Sequence, residues 1–249
     1  MRVSPLYQPL LRELGIDAEA VFEHPRIVPW RVLADRENCT LDADLVDGRH
    51  VRWHVKRYAP ARGESPAERE AEGIGHLERA GIPTAATVAW GKLGDGRSFI
   101  ILDDLTGFTA ADKAIEGGLA FERLLEPTAQ LAAKLHTAGL HHRDLYLCHF
   151  LVREADLRLI DAARVRPLPW FLRSRWIVKD LAQFWYSAMK LNIPEEQRDA
   201  WLTQYAIARG LPSAAPLRHA IVSKAAWIER HDQRLIRRQP GRNVSIPGS

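Results

Sequence analysis

The chain has 249 residues and a mass of 28.2 kDa, enough for one large domain or one two-lobed unit with a substantial core. Hydrophobic residues at 46% and charged residues at 27% exclude a disordered chain, and apolar runs such as Phe99-Ile100-Ile101-Leu102 stop far short of the roughly 20 residues that span a bilayer. The balance of 35 basic to 31 acidic side chains is mildly basic and points to an anionic partner, for which nucleic acid, a phosphorylated sugar, a nucleotide and an anionic lipid all fit.

The first residues, Met1-Arg2-Val3-Ser4-Pro5-Leu6-Tyr7-Gln8-Pro9, contain neither an apolar h-region nor a small-residue cleavage site, so they do not read as a secretory signal. The only cysteines, Cys39 and Cys148, make no disulfide framework, and a reducing cytosolic compartment is expected.

Strand patterns follow at residues 30–33, 40–46 and 51–58, with Asp47-Gly48 as the turn between the last two. A loop over 60–66 leads to a helix over 67–80, stopped at Gly81 with Pro83 just beyond. Two short strands are expected around 87–90 and 98–102, joined by Gly94-Asp95-Gly96. After Asp103-Asp104 the pattern turns helical, over 122–138, about 179–190, 195–208 and 214–238, with short β segments at 150–152 and 157–160. This is an α+β plan. Residues 1–102 read as a β-rich N-lobe with one main helix and residues 103–249 as a helical C-lobe, together one unit with its active cleft expected near residue 103.

The densest chemistry lies in His141-His142-Arg143-Asp144-Leu145-Tyr146-Leu147-Cys148-His149, between a helix ending at Gly139 and the β segment from Phe150. Rigid elements on both sides suit a loop carrying catalytic groups. Further on, Leu159-Ile160-Asp161 places a second carboxylate at the end of an apolar strand, so that one acid can serve as base and the other as metal ligand. Upstream, Lys56 sits in a largely apolar or aromatic strand and needs an anion, which the acidic helix Glu68-Arg69-Glu70-Ala71-Glu72 offers. Each signal alone is weak. Together, in order and with matching secondary structure, they form the protein-kinase constellation.

The stretch His142-Arg143-Asp144-Leu145-Tyr146-Leu147-Cys148-His149-Phe150-Leu151 resembles the lipopolysaccharide core kinases, the heptose and Kdo kinase family of the protein-kinase-like superfamily. Supporting stretches are Val55-Lys56-Arg57-Tyr58, Arg69-Glu70, Ala80-Gly81-Ile82-Pro83-Thr84, Leu159-Ile160-Asp161 with Arg164, and Lys179-Asp180-Leu181. The resemblance runs from about Trp30 to Ser187. It implies a two-lobed kinase-like fold, ATP and Mg2+ as cofactors, and an anionic glycolipid, the lipopolysaccharide core, as acceptor. It also implies a cytoplasmic protein, peripheral at the inner membrane and contacting its surface, with no nucleic-acid partner.

By the same resemblance Asp144 is the base toward the acceptor hydroxyl, Lys56 holds ATP phosphates and Glu70 orients Lys56. Asp161 and His149 are the metal ligands, His149 standing where protein kinases place an asparagine. Asp103 and Asp104 join Lys56 as cofactor-binding candidates, and Asp180 braces the catalytic loop. The chain departs from protein kinases in several places. Ala34-Asp35-Arg36-Glu37-Asn38-Cys39 holds no glycine where a glycine-rich phosphate loop is usual; Ala162-Ala163 follow Asp161; Tyr146 replaces a lysine; and the segment over 165–175 is short, with Pro167 and Pro169. A peptide groove is therefore disfavoured. A kinase of another acceptor, small molecule or protein, and a non-catalytic kinase-like binding module are the alternatives.

Blander readings apply to other residues. His136 reads as a structural histidine and Cys148 as a packed small side chain, and a zinc cluster of His141, His142, Cys148 and His149 fits no common spacing. Trp170-Phe171-Leu172 reads either as a core segment or as a contact for an acyl chain or membrane surface. The C-terminal stretch, with Arg218, Lys224, Arg230, Arg234, Arg237, Arg238 and Arg242 against Glu229 and Asp232, is a solvated face or an anion contact.

Overall fold

The structure, a computed structural model, describes residues 1–238, so Arg242 of the basic C-terminal stretch lies outside the described residues. The chain divides into two compact units, Met1–Gly75 with Thr84–Thr106, and His76–Pro83 with the residues from Gly107 on.

In the first unit β1 (Arg2–Val3), α1 (Gln8–Glu13), α2 (Ala20–Glu23), β2 (Ile27–Val32), β3 (Arg36–Asp44), β4 (His50–Tyr58), α3 (Pro66–Arg79, assigned to this unit as far as Gly75), β5 (Thr87–Lys92) and β6 (Ser98–Asp103) follow in chain order. The strands form one antiparallel sheet in the order β1-β5-β6-β4-β3-β2. Successive strand side chains point to opposite faces, and this alternation separates core from chemistry. Cys39, Leu41, Trp53, Val55, Phe99 and Ile101 join Leu11, Leu14, Ile16 and Val21 in one buried cluster. Lys56 pairs with Asn38 on one side and Ile100 on the other, so these three point away from that cluster, as do His54 and Tyr58 on the same strand.

The N-terminal residues, for which the sequence pattern shows no elements, therefore have a packing role: α1, α2 and their connecting turns close the apolar face of the sheet. The first long strand also begins earlier than the pattern at 30–33 implies. Buried Ile27 registers with Leu41, and the Arg57 guanidinium donates to the carbonyls of Val21 at 2.7 Å and Ile27 at 3.3 Å, which fixes the strand entry. Helix α3 starts where Ser65 Oγ accepts the Glu68 amide at 3.0 Å, with Pro66 in the first turn, where its missing N–H is no loss. It stops as Gly81 takes a φ of +64° and Ile82 N–H reaches back to Leu77 O at 2.9 Å.

The second unit holds β7 (Thr109–Ala110), α4 (Ala111–Glu116), α5 (Glu122–Thr137), β8 (Leu140–His141), β9 (Phe150–Arg153), β10 (Asp156–Leu159), β11 (Arg166–Pro167), α6 (Arg173–Lys190), α7 (Glu195–Ala208) and α8 (Ala215–Arg238). Strands β10, β9 and β7 make a small antiparallel sheet, and β11 pairs with β8. Helix α6 begins at Arg173, earlier than the pattern from Lys179 implies: Pro167 and Pro169 lie before it, and nothing after them interrupts a helix. Helix α4 is too short to show a period in the sequence.

Helix α5 packs on α7 and α6 on α8. Their core centres on Trp201, whose ring stacks on Phe184 at 3.8 Å between centroids, while its Nε1 donates to Thr128 Oγ1 at 3.0 Å. Trp201→Ala should destabilise the protein by about 3–5 kcal/mol, the usual cost of emptying a large aromatic site. Trp201→Phe keeps an aromatic ring and should cost clearly less. Denaturant unfolding followed by circular dichroism checks both.

Candidate active site

The first unit contributes a buried ion pair. Lys56 Nζ donates to Glu70 Oε1 at 2.5 Å, and Tyr58 Oη donates to Glu70 Oε2 at 2.7 Å. Glu70 is only 1% exposed, and a buried carboxylate needs what it has here, a bond at each oxygen and a cation against it. The pair forms because β4 puts Lys56 and Tyr58 on one face and the capped start of α3 sets where Glu70 falls. Two neighbours on that face carry no sequence signal. Asn38, paired with Lys56, is buried with its Oδ1 unpartnered, and His54 packs near the Trp30 ring at 5.8 Å. Burial, helped by nearby Lys56, pushes His54 down to about 4, so it is neutral at physiological pH.

Asp103 and Asp104 end the last strand of the sheet. Tyr7 Oη donates to Asp103 Oδ2 at 3.3 Å, and Asp104 Oδ2 receives Arg52 Nε at 3.2 Å and the Thr106 hydroxyl. Both carboxylates thus have partners within their own unit. The β2–β3 connection spans residues 33–35 and is closed by Leu33 N–H to Arg36 O at 2.8 Å. It is a tight hairpin, without the length to wrap a triphosphate as a glycine-rich loop does.

The second unit frames the His142-Arg143-Asp144 loop around Asp180 of α6. Asp180 Oδ2 accepts the His142 amide at 2.7 Å and Oδ1 the Arg143 amide at 2.8 Å. His136 Nε2 lies 3.3 Å from Oδ2, while its Nδ1 is 2.8 Å from Tyr205 Oη, so this histidine is held on both sides. Burial acts to raise the Asp180 pKa, but the bonds from His136 and the His142 amide outweigh it and the net shift is downward. Arg143 adopts a φ of +72°, a conformation that costs a non-glycine residue about 1–3 kcal/mol. It is held from both ends, its amide on Asp180 and its carbonyl receiving Lys179 Nζ at 2.6 Å. Burial pulls Lys179 down to about 8. This clamped kink sets the position of Asp144, whose two oxygens each lie 2.9 Å from Arg164 Nη1.

The second carboxylate is docked onto the same loop. The His142 ring Nε2 donates to Ile160 O at 3.0 Å, and Ile160 N–H donates to His149 O at 2.9 Å. Asp161 follows with a φ of +60°, and its Oδ2 lies 3.5 Å from His149 Nε2. His149 Nδ1 is 2.6 Å from the Asp144 carbonyl, an acceptor only, so Nδ1 carries a proton and Nε2 is the nitrogen that faces Asp161. An imidazole nitrogen and a carboxylate facing each other are ligand types that could hold a metal ion. Among the described residues no three His, Cys, Asp or Glu groups gather as a metal site. Magnesium held by one or two protein ligands together with substrate phosphates needs no third. Cys148 is buried, which pushes its thiol pKa up, and it is a packed side chain.

A sheet unit with a lysine–glutamate pair and a helical unit with a clamped His-Arg-Asp loop define the class: a protein-kinase-like fold. A solved thermostable mutant of aminoglycoside phosphotransferase APH(4)-Ia matches with a TM-score of 0.54 at 12% identity, covering 94% of this chain and 99% of that one. The sequence profile of the lipopolysaccharide kinase (Kdo/WaaP) family matches residues 34–205, and the chain belongs to that family and is a kinase-type phosphotransferase. Lipopolysaccharide core heptose(I) kinase WaaP of Pseudomonas aeruginosa is 30% identical over 197 residues, 70% of this chain and 70% of the relative. The Escherichia coli K12 protein of the same name is 36% identical over 154 residues, and this match covers 54% of the chain and 57% of that relative.

Asp180→Ala should release two buried amides and the His136 ring together, costing about 3–5 kcal/mol. Hydrogen exchange at the Arg143 amide should accelerate more than exchange in α7, which does not touch that carboxylate. Equal protection at both places would show that the loop holds its shape without Asp180.

Proposed function

We propose that this chain is an ATP-dependent kinase that phosphorylates a sugar hydroxyl in the inner core of lipopolysaccharide, working at the cytoplasmic face of the inner membrane. The names of its relatives make a heptose the first acceptor to test. The observation that carries the reading is the second unit's loop, where Asp144 and the His149–Asp161 pair are held by one buried carboxylate and one buried imidazole.

Lys56, kept extended and charged by Glu70, binds phosphate oxygens of ATP. A magnesium ion, when held by His149 Nε2 and Asp161, supplies charge neutralisation at those oxygens. Asp144 takes the proton from the acceptor hydroxyl as its oxygen bonds to the γ-phosphorus. The bond from that phosphorus to the bridging oxygen breaks, and ADP leaves with the electron pair. Asp144→Asn should bind ATP within a few-fold of the parent and lose most of its turnover, by about 10²–10⁴-fold. Radiolabelled ATP with purified lipopolysaccharide core is the assay, and near-parental turnover in that variant would remove Asp144 as the base.

The acceptor reading also explains an exposed surface. Between Asp161 and Asp180 the chain carries Arg164, Arg166, Arg173, Arg175 and Lys179 and no acidic residue. At its tip Trp170 is 88% exposed and Phe171 66% exposed, which makes this segment surface rather than core. Aromatic rings flanked by arginines suit the boundary of an anionic bilayer. No helix among the described residues is long and apolar enough to cross a membrane. The chain should float with vesicles containing phosphatidylglycerol and not with neutral ones. Replacing Trp170 and Phe171 by serine should weaken that binding about tenfold, the effect of losing buried aromatic area, while turnover on deacylated core stays unchanged.

A further inference from the structure

The residue that faces the base is itself unexplained by the reaction above. One nitrogen, Arg164 Nη1, lies 2.9 Å from both Oδ1 and Oδ2 of Asp144, so one N–H is shared between the two oxygens and the guanidinium sits on the carboxylate edge between them. Nη2 and Nε of Arg164 make no hydrogen bond among the described residues. The other cations close to Asp144 are already engaged. Lys179 Nζ donates to the Arg143 carbonyl at 2.6 Å, and the Arg143 guanidinium lies over the Trp176 ring at 4.8 Å. Arg164 sits at the end of the short turn Ala162–Arg164 that follows Asp161, with half of its side chain in solvent. It is therefore a half-exposed guanidinium with spare donors, placed on the one carboxylate that must receive a proton.

Each carboxylate oxygen keeps a further lone pair, but a hydroxyl cannot approach the edge between the two oxygens while a guanidinium sits there. A half-exposed ion pair is weak and exchangeable, and a guanidinium prefers an oxyanion that it can grip with two parallel N–H groups. We propose that Arg164 is a substrate-operated cap on Asp144: it covers the base in the empty site and leaves it when the substrate delivers an oxyanion. That oxyanion is a phosphate or carboxylate group of the acceptor. The inference rests on reading Asp144 as the base. Arg164 forms and breaks no covalent bond and is a positioning residue. With the cap in place, water in an acceptor-free site has poorer access to Asp144, so it passes its proton and attacks the γ-phosphorus more slowly, and ATP is spared from hydrolysis to ADP and phosphate.

The test uses the full chain carrying Arg164→Gln or Arg164→Lys, with thermal unfolding as the check on folding. Three rates are compared with the parent: ATP hydrolysis without acceptor, transfer to deacylated lipopolysaccharide core, which is anionic, and transfer to methyl heptoside, which is not. Arg164→Gln should raise acceptor-free hydrolysis several-fold. It should also raise KM for the anionic core about tenfold, as expected for a lost bidentate contact, and leave KM for methyl heptoside and for ATP unchanged. A rise in KM for ATP alone would overturn the cap. Arg164→Lys, which keeps a cation without the fork, should fall between Gln and the parent. A merely structural arginine would give the opposite sign, with hydrolysis and transfer falling together as Asp144 loses its support, and that result would overturn the cap. Unchanged hydrolysis with unchanged KM values would do the same. If the parent transfers phosphate and Asp144→Asn does not, the base reading stands whatever Arg164 does; full turnover by Asp144→Asn would remove the base and the cap together.

Discussion

The chemistry of this protein depends on one buried carboxylate. Asp180 is wholly out of solvent, where an unpaired charge costs several kcal/mol. It is stable there because the His142 and Arg143 amides and the His136 ring converge on its two oxygens. Those bonds do more than neutralise a cost. They hold Arg143 in a left-handed conformation that the residue would not adopt alone, and the direction of Asp144 follows from that kink. Because the Asp180 pKa lies below the ordinary carboxylate value, its contribution to stability is present at neutral pH and is lost as acid protonates the group. Folding and site geometry therefore share one interaction.

The same economy recurs in the sheet unit. Glu70 is buried with both oxygens bonded, and the groups that bond them, Lys56 and Tyr58, come from alternate positions of one strand. A lysine held in this way is fixed in position and largely withdrawn from solvent by its own fold. The opposite face of the same strand is apolar and is closed by residues from the N-terminal segment. One strand thus serves the core through Trp53 and Val55 and the site through His54 and Lys56, with the period of two doing the sorting.

The His149–Asp161 pair shows how second contacts define first ones. With Nδ1 donating to the Asp144 carbonyl, Nε2 is the nitrogen left facing Asp161, 3.5 Å away. The carbonyl that orients this ring belongs to Asp144, so Asp144 and the His149–Asp161 pair are coupled through a single peptide group.

By itself the sequence determined the α+β plan, most element positions, and the identity of Lys56, Glu70, Asp144, His149 and Asp161 as the groups of interest. These were legible because they are local. Periodicity, a capped helix start, a glycine stop and a dense polar loop between two rigid segments are all written in neighbouring residues. The N-terminal elements were not legible, because Leu11, Ile16 and Val21 gain their meaning only from a sheet face that forms later in the chain. Nor was Asn38 beside Lys56, which depends on strand register, or the early start of α6, where only the proline-bearing segment before it shows in the sequence. The contact of Arg164 with Asp144 and the bond from His149 Nδ1 to the Asp144 carbonyl were decided by tertiary structure alone. Each turns on which groups meet across long stretches of chain, and a hydrogen bond exists only where folding brings donor and acceptor to about 3 Å.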